Sequence, residues 1–117
     1  MQTLSLYFSL EHSLRLYVPS TVEVNVDAET LQDIIVMQVM DRMADWFGGA
    51  TSYKAEGAWK SPAAGLVIEK VVIVESYASD EAVNQNMGNV IALCEKIKAR
   101  MKQEAVALEY DNRLYLI

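Results

Sequence analysis

Aromatic and charged side chains are concentrated in three short stretches that alternate like β-strands. Aromatic rings stack on planar groups, and Lys and Arg side chains bind anions. Carboxylates lie in the same stretches, among them Glu69. We therefore predict a pocket for a small anionic, nucleotide-like ligand between a sheet face and a second subunit, lined by Arg15, Tyr17, Tyr53, Lys54, Trp59, Lys60, Glu69 and Tyr77.

These charged residues also have a purely structural interpretation. The strand that precedes Glu69 and Glu75 carries charges of its own, namely Lys54, Glu56 and Lys60. Opposite charges that face each other across two strands form ion pairs on a solvated sheet. The sequence does not give the register between the strands, so the pocket and the ion pairs both remain open.

The sequence contains no nucleophile–base pair and no cluster of metal ligands. His12 is the single histidine and Cys94 the single cysteine. We expect His12 on the surface. Cys94 lies on the apolar stripe of the second predicted helix, so we expect it in the core, whereas a reactive thiol needs an electropositive, partly exposed setting. By residue type alone, His12 or a carboxylate remains a candidate general base. We predict no cofactor and no metal.

Composition limits the class of protein. A chain of 117 residues predicts a single domain, residues 1–117. The net charge of −6 disfavours nucleic acid as a partner, because binders of the phosphate backbone need a basic face. Apolar runs stay far below the ~18 residues of a membrane span. The single cysteine and the lack of a signal-peptide pattern predict a cytoplasmic protein that is not bound to a membrane.

The central feature of the fold is a predicted hairpin, with strands over Ala50–Lys60 and Leu66–Tyr77. Both faces of the second strand are largely apolar. A strand covered on one side alternates between apolar and polar residues, so this one is predicted to be a central strand with its second face partly covered. A second copy of the chain would supply that cover. The pattern therefore predicts a homo-oligomer, a dimer or larger.

The other elements follow from periodicity and capping residues. Asp27 is a candidate N-cap for a helix that reaches Phe47 and stops at Gly48-Gly49, and Ser79 is a candidate cap for a second helix. We predict strands over Ser13–Ser20, Thr21–Val26, Ala105–Tyr110 and Arg113–Ile117, helices over Asp27–Phe47 and Asp80–Lys102, and an edge strand or intersubunit arm over residues 1–12.

This order predicts an α+β, ferredoxin-like β-α-β-β-α-β sandwich. Two helices would cover one face of an antiparallel sheet. The additions to the basic pattern would be the N-terminal strand and a C-terminal hairpin.

Four short motifs resemble landmarks of a family of small proteins from bacterial plasmids and phages. The motifs are Tyr17-Val18-Pro19-Ser20-Thr21, Phe47-Gly48-Gly49-Ala50-Thr51, Gly57-Ala58-Trp59 and Gln103-Glu104-Ala105-Val106. The resemblance covers residues 14–117 and implies a ferredoxin-like fold in a mobile genetic element. The resemblance implies no particular activity and identifies no catalytic residue.

Three functions are compatible with these observations. The first is a non-enzymatic, oligomeric binding protein of a phage or mobile element that counters host defence by sequestering a small anionic ligand. The second is an acidic inhibitor that binds a host defence protein. The third is a dimeric ferredoxin-like enzyme that acts on a small organic substrate.

Overall fold

The computed structural model describes residues 3–22 and 28–117, which form one antiparallel sheet with two helices on one of its faces. A short 3-10 turn, Leu4–Leu6, precedes the sheet. The strands are β1 (His12–Pro19), β2 (Thr51–Ser61), β3 (Gly65–Ala78), β4 (Ala107–Tyr110) and β5 (Arg113–Leu116), and the helices are α1 (Glu29–Phe47) and α2 (Asp80–Arg100).

The strand order β2-β3-β1-β4-β5 confirms the predicted fold class. The first four strands in this order and the two helices form the ferredoxin-like sandwich, and β5 adds the C-terminal hairpin. The predicted central strand is β3, which pairs with β1 on one side and with β2 on the other.

Capping residues determine where the helices end. Gly48 has φ +95° and ends α1 in the left-handed conformation, which glycine adopts without steric cost. The Ser79 side chain accepts a hydrogen bond from the Ala82 N–H (3.1 Å) and begins α2. The residue before α1, Ala28, makes no side-chain cap. The predicted cap Asp27 and most of the predicted strand Thr21–Val26 lie outside the described residues.

The core lies between the helices and the inward face of β1. Leu14, Leu16 and Val18 are fully buried there against both helices. Cys94 of α2 belongs to the same core, and burial raises the pKa of its thiol to about 12. The prediction of a structural cysteine is therefore confirmed.

The prediction of an N-terminal strand is wrong for the described residues 3–11. These residues form the 3-10 turn and otherwise irregular chain, and all of them are exposed. Their alternating apolar side chains suit a strand, but a strand also needs a free sheet edge. The outer edges of this sheet, at β2 and β5, do not pair with residues 3–11.

His12 joins three elements at one end of the sheet. Its Nδ1 lies 2.6 Å from Asp111 Oδ2 in the β4–β5 turn, and its Nε2 lies 3.0 Å from Asp80 Oδ1 in the first turn of α2. The hydrogen bond to Asp111, followed by that to Asp80, raises the pKa of His12. The bond from His12 likewise lowers the pKa of Asp111. Both ring nitrogens can donate together only when the imidazole is protonated.

We expect His12→Gln to destabilise the protein more at pH 6 than at pH 9. The folded-state pKa of His12 is raised, so its contribution is complete below the unfolded value of about 6.5 and is lost as the pH rises through the folded value. The lowered pKa of Asp111 keeps that carboxylate charged at pH 6. Urea unfolding of both proteins at the two pH values measures the difference. An equal loss of stability at both would contradict this account.

Candidate functional site

The sheet face opposite the helices, here called the open face, carries most of the predicted site residues. Leu14, Leu16 and Val18 point into the core, so the residues between them point the other way. The register places their partners on the same face. Six of the eight predicted residues lie on the open face, namely Arg15, Tyr17, Tyr53, Trp59, Glu69 and Tyr77.

Lys54 and Lys60 do not join this group. They alternate with Tyr53 and Trp59 along β2 and therefore lie on the other face, opposite Val72 and Leu66 of β3. Tyr77 shares the open face but lies eight residues from Glu69, which is ~26 Å along a strand. The structure thus brings together a smaller group than the sequence predicted.

Arg15 is held by two carboxylates on the neighbouring strands. Its Nε donates to Glu75 of β3 and its Nη1 to Glu109 of β4. These bonds raise the pKa of Arg15, first through Glu109 and then through Glu75. Tyr17 also donates to Glu109 (3.5 Å). The predicted role of Arg15 in binding an anionic ligand is therefore not supported, because its charge is already compensated.

Two adjoining cavities lie at the end of β1 where the chain leaves the sheet. The edge cavity, of about 550 Å³, is lined by Ser20, Thr21, Glu29, Trp59, Val67, Ile68, Glu69, Lys70, Gln103, Glu104 and Ala105. The face cavity, of about 460 Å³, opens onto the open face and includes Tyr17, Pro19, Val71 and Ile73. Trp59, Glu69, Gln103 and Ala105 line both cavities, so these four residues form the centre of the candidate site.

Glu69 is the charged group at that centre. Partial burial raises the pKa of its carboxyl group. Its cross-strand partner is Gly57, which has no side chain to pair with it. Among the described residues, no hydrogen bond or ion pair to the Glu69 side chain is found. A carboxylate that is partly desolvated and unpaired favours a cation or a hydrogen-bond donor on a ligand.

Gln103 forms the opposite wall and was not among the predicted site residues. Its Nε2 donates to the backbone carbonyls of Thr21 (2.8 Å) and Met101 (3.1 Å), which fixes the side chain and orients its amide. The sequence signal was the Gln103-Glu104 pair directly after α2. Local capping also explained that pair, so the sequence did not show that Gln103 lines a cavity. Only the fold brings Gln103 next to Trp59 and Glu69.

The charge of the edge cavity is opposite to the predicted one. Glu29, Glu69 and Glu104 line it together with a single cation, Lys70. Because Arg15, Lys54 and Lys60 face elsewhere or are already paired, the lining of the edge cavity gives no support to the expectation of an anionic ligand.

His12 lies at the other end of β1, ~23 Å from Pro19. Both of its ring nitrogens contact carboxylates, so the structure gives no support to His12 as a general base in these cavities. Within residues 3–22 and 28–117, no group of three or more His, Cys, Asp or Glu side chains has a geometry that holds a metal ion. No helix in the same ranges is long and apolar enough to cross a membrane.

Comparison with known proteins finds similarity in structure. No protein-family model and no curated protein matches the sequence. A phage SAM lyase in its apo state superposes with a TM-score of 0.67 at 22% identity, over 100% of this chain and 94% of the other. A phage SAM lyase in complex with S-methyl-5′-thioadenosine superposes with a TM-score of 0.64 at 23% identity, over 91% of this chain and 88% of the other. This chain therefore has the fold of those lyases along nearly its whole length.

Proposed function

We propose that this protein is a SAM lyase, which binds S-adenosylmethionine (SAM) and releases S-methyl-5′-thioadenosine. The observation that carries the proposal is the unpaired, partly buried carboxylate of Glu69, which lies beside Trp59 in a cavity of ligand size. SAM is a cation with an aromatic base, so a carboxylate and an indole suit its two ends. The shared fold with phage SAM lyases adds support.

The proposed reaction needs no nucleophile from the protein. The carboxylate of SAM attacks its own γ-carbon, the bond from that carbon to the sulfonium sulfur breaks, and the electron pair stays on sulfur. The products are S-methyl-5′-thioadenosine and a lactone that keeps the ammonium group. Charge balances at +1 on both sides, and no water or proton is consumed. The protein then has to hold SAM in the folded conformation that brings the two atoms together.

In this proposal, the Glu69 carboxylate binds the ammonium group of SAM. A carboxylate beside the sulfonium would stabilise the substrate more than the transition state, because the sulfur loses its positive charge as the bond breaks. The ammonium keeps its charge throughout the reaction. A carboxylate that holds it therefore orients the reacting chain without raising the barrier.

This activity gives the counter-defence hypothesis a specific form. SAM is the methyl donor of DNA methylation, so a phage or mobile element that destroys it in the host cytoplasm deprives host methyltransferases of their substrate. Sequestration, the first hypothesis from sequence, requires tight binding without turnover. Measuring product as well as binding separates the two.

We expect Glu69→Gln to lower kcat/KM for SAM by about 10- to 150-fold, the equivalent of a lost hydrogen bond to a charged group at ~1.5–3 kcal/mol. The reaction requires the ionised form of Glu69, whose pKa is raised above 4.5. We therefore expect wild-type activity to decrease as the pH is lowered, with the midpoint of the decrease above pH 4.5. This acid limb should disappear in the variant. Chromatographic quantitation of S-methyl-5′-thioadenosine across pH measures both effects.

Glu81→Gln is the matched control, since Glu81 is exposed in the first turn of α2. It should leave activity unchanged. Binding of SAM without product would replace the lyase proposal with sequestration. An absence of both binding and product at millimolar SAM would refute the proposal.

We also propose that the protein works as a homo-oligomer. The β2–β3 hairpin continues beyond β1 as an arm, residues 56–70, whose strands pair only with each other. Trp59, Leu66 and Ile68 on this arm are 46%, 59% and 62% exposed. Trp59 lies on the open face and Leu66 and Ile68 lie on the other, so both faces of the arm expose apolar side chains, as is typical of protein interfaces. Copies of the chain packed around the arm would cover these side chains and narrow the open cavities.

Replacing Leu66 and Ile68 together by Asn is expected to weaken self-association at least about 100-fold, because each loses ~1.5–3 kcal/mol of apolar burial. Size-exclusion chromatography with light scattering over a concentration series measures the shift. Met37→Asn is the control, since Met37 is also exposed but lies on α1. A wild-type protein that is monomeric at 100 μM, roughly the upper end for weak specific association, would contradict the proposal.

A further inference from the structure

β3 is longer than β1, so one edge of β3 continues past the last residue of β1. The last pair between the two strands is Pro19–Val71, whereas β3 continues to Gly65 and pairs there with β2 alone. The residue after β1, Ser20, instead accepts a hydrogen bond at its backbone carbonyl from the Ala28 N–H (2.9 Å). Across residues 3–22 and 28–117, no strand lies against this end of β3.

The phase of the sheet's hydrogen bonds decides which β3 residues turn their backbone groups towards this edge. Val106 and Ile117 exchange both of their backbone hydrogen bonds (3.1 and 3.0 Å). Doubly bonded pairs alternate with unbonded pairs in antiparallel sheets. Three residues further along the chain, in β4, Glu109 and its β5 partner Leu114 are therefore an unbonded pair. Glu109 turns its backbone groups towards β1 instead, where its partner is Arg15.

Arg15 therefore turns its backbone groups towards β4, and the alternate residues Leu14, Leu16 and Val18 turn theirs towards β3. Val18 forms its backbone hydrogen bonds with its partner Val72. Steps of two along β3 then bring the backbone groups of Lys70 and Ile68 to the unpaired edge. Ile68 lies opposite Ala58 in a pair of the unbonded type, so its N–H and C=O are not used by β2.

The edge cavity reaches these backbone groups. It is lined by four consecutive residues, Val67–Lys70, whose side chains point alternately to opposite faces of the sheet. A cavity that touches all four must contact the edge of the strand between them. Trp59 and the fixed amide of Gln103 lie in the same cavity.

We infer that the backbone of Ile68 binds the Watson–Crick edge of the adenine base, an inference that rests on the proposed function. The N–H of Ile68 donates to adenine N1, and its C=O accepts from the adenine N6 amino group. An adjacent donor and acceptor on a strand edge match the adjacent acceptor and donor of adenine. Trp59 supplies an aromatic surface for the base in the same cavity.

Ligand analogues test this base recognition directly. Calorimetry compares S-methyl-5′-thioadenosine with its inosine analogue, in which N1 becomes a donor and the 6-position an acceptor. We expect binding at least about tenfold weaker for the inosine form, because both hydrogen bonds are reversed. The 7-deaza analogue, altered only on the other edge of the base, should bind like the parent compound.

Equal affinity for the adenosine and inosine forms would overturn the inference and leave the proposed function intact. Loss of affinity confined to the 7-deaza compound would overturn it as well. If neither SAM nor S-methyl-5′-thioadenosine binds, the proposed function fails and the inference fails with it.

Proline substitution locates the contact on the chain. Ile68→Pro removes the N–H proposed to contact adenine but no hydrogen bond to β2, and proline is tolerated at such edge positions. Leu66→Pro is the matched control, with the same phase on β3 but outside the lining of the edge cavity. We expect about tenfold weaker binding for Ile68→Pro than for Leu66→Pro, with matching circular dichroism and oligomer mass. Equal affinity in these two variants would overturn the assignment to Ile68.

Discussion

The difference in length between two neighbouring strands shapes the rest of the molecule. β3 has 14 residues and β1 has 8, so β3 extends well past the point where β1 leaves the sheet. The start of α1 holds that exit, because Gln32 donates to the Val18 carbonyl (3.1 Å) and the Ala28 N–H to that of Ser20. The two cavities, the exposed arm and the edge of β3 that no described residue pairs with all follow from the early end of β1.

Much of the fold could be predicted from the sequence because its determinants are local. Gly48 and Ser79 mark helix ends by their own chemistry, and the apolar spacing around Cys94 marks a buried helix face. The N-terminal strand was predicted wrongly because a strand forms only where it pairs with a sheet edge, and alternation in residues 4–10 does not reveal that pairing. Local patterns specify what a segment can form, and the topology decides whether a partner is available.

The candidate site was less predictable because it depends on register. Alternation along β2 already placed Lys54 and Lys60 on the face opposite Tyr53 and Trp59, and this signal argued against grouping them. Nothing local revealed that Arg15 lies between two carboxylates, since Glu75 and Glu109 come from distant parts of the chain. The cations on which the predicted anionic ligand depended are therefore not gathered at the cavities, although Trp59 and Glu69 lie together as expected.

The absence of a nucleophile–base pair in the sequence favoured a binding protein, but it does not separate binding from an intramolecular reaction. When the substrate carries both its nucleophile and its leaving group, the protein has to select a conformation and exclude water, and a binding site does both.

The arm connects this chemistry to self-association. Ile68 contributes an exposed side chain to the proposed subunit interface and its backbone to the proposed adenine contact. A ligand that binds better to the assembled protein must strengthen assembly by the same factor, because linkage is reciprocal. In that case, the edge of β3 beyond the end of β1 couples substrate binding to the association of the subunits.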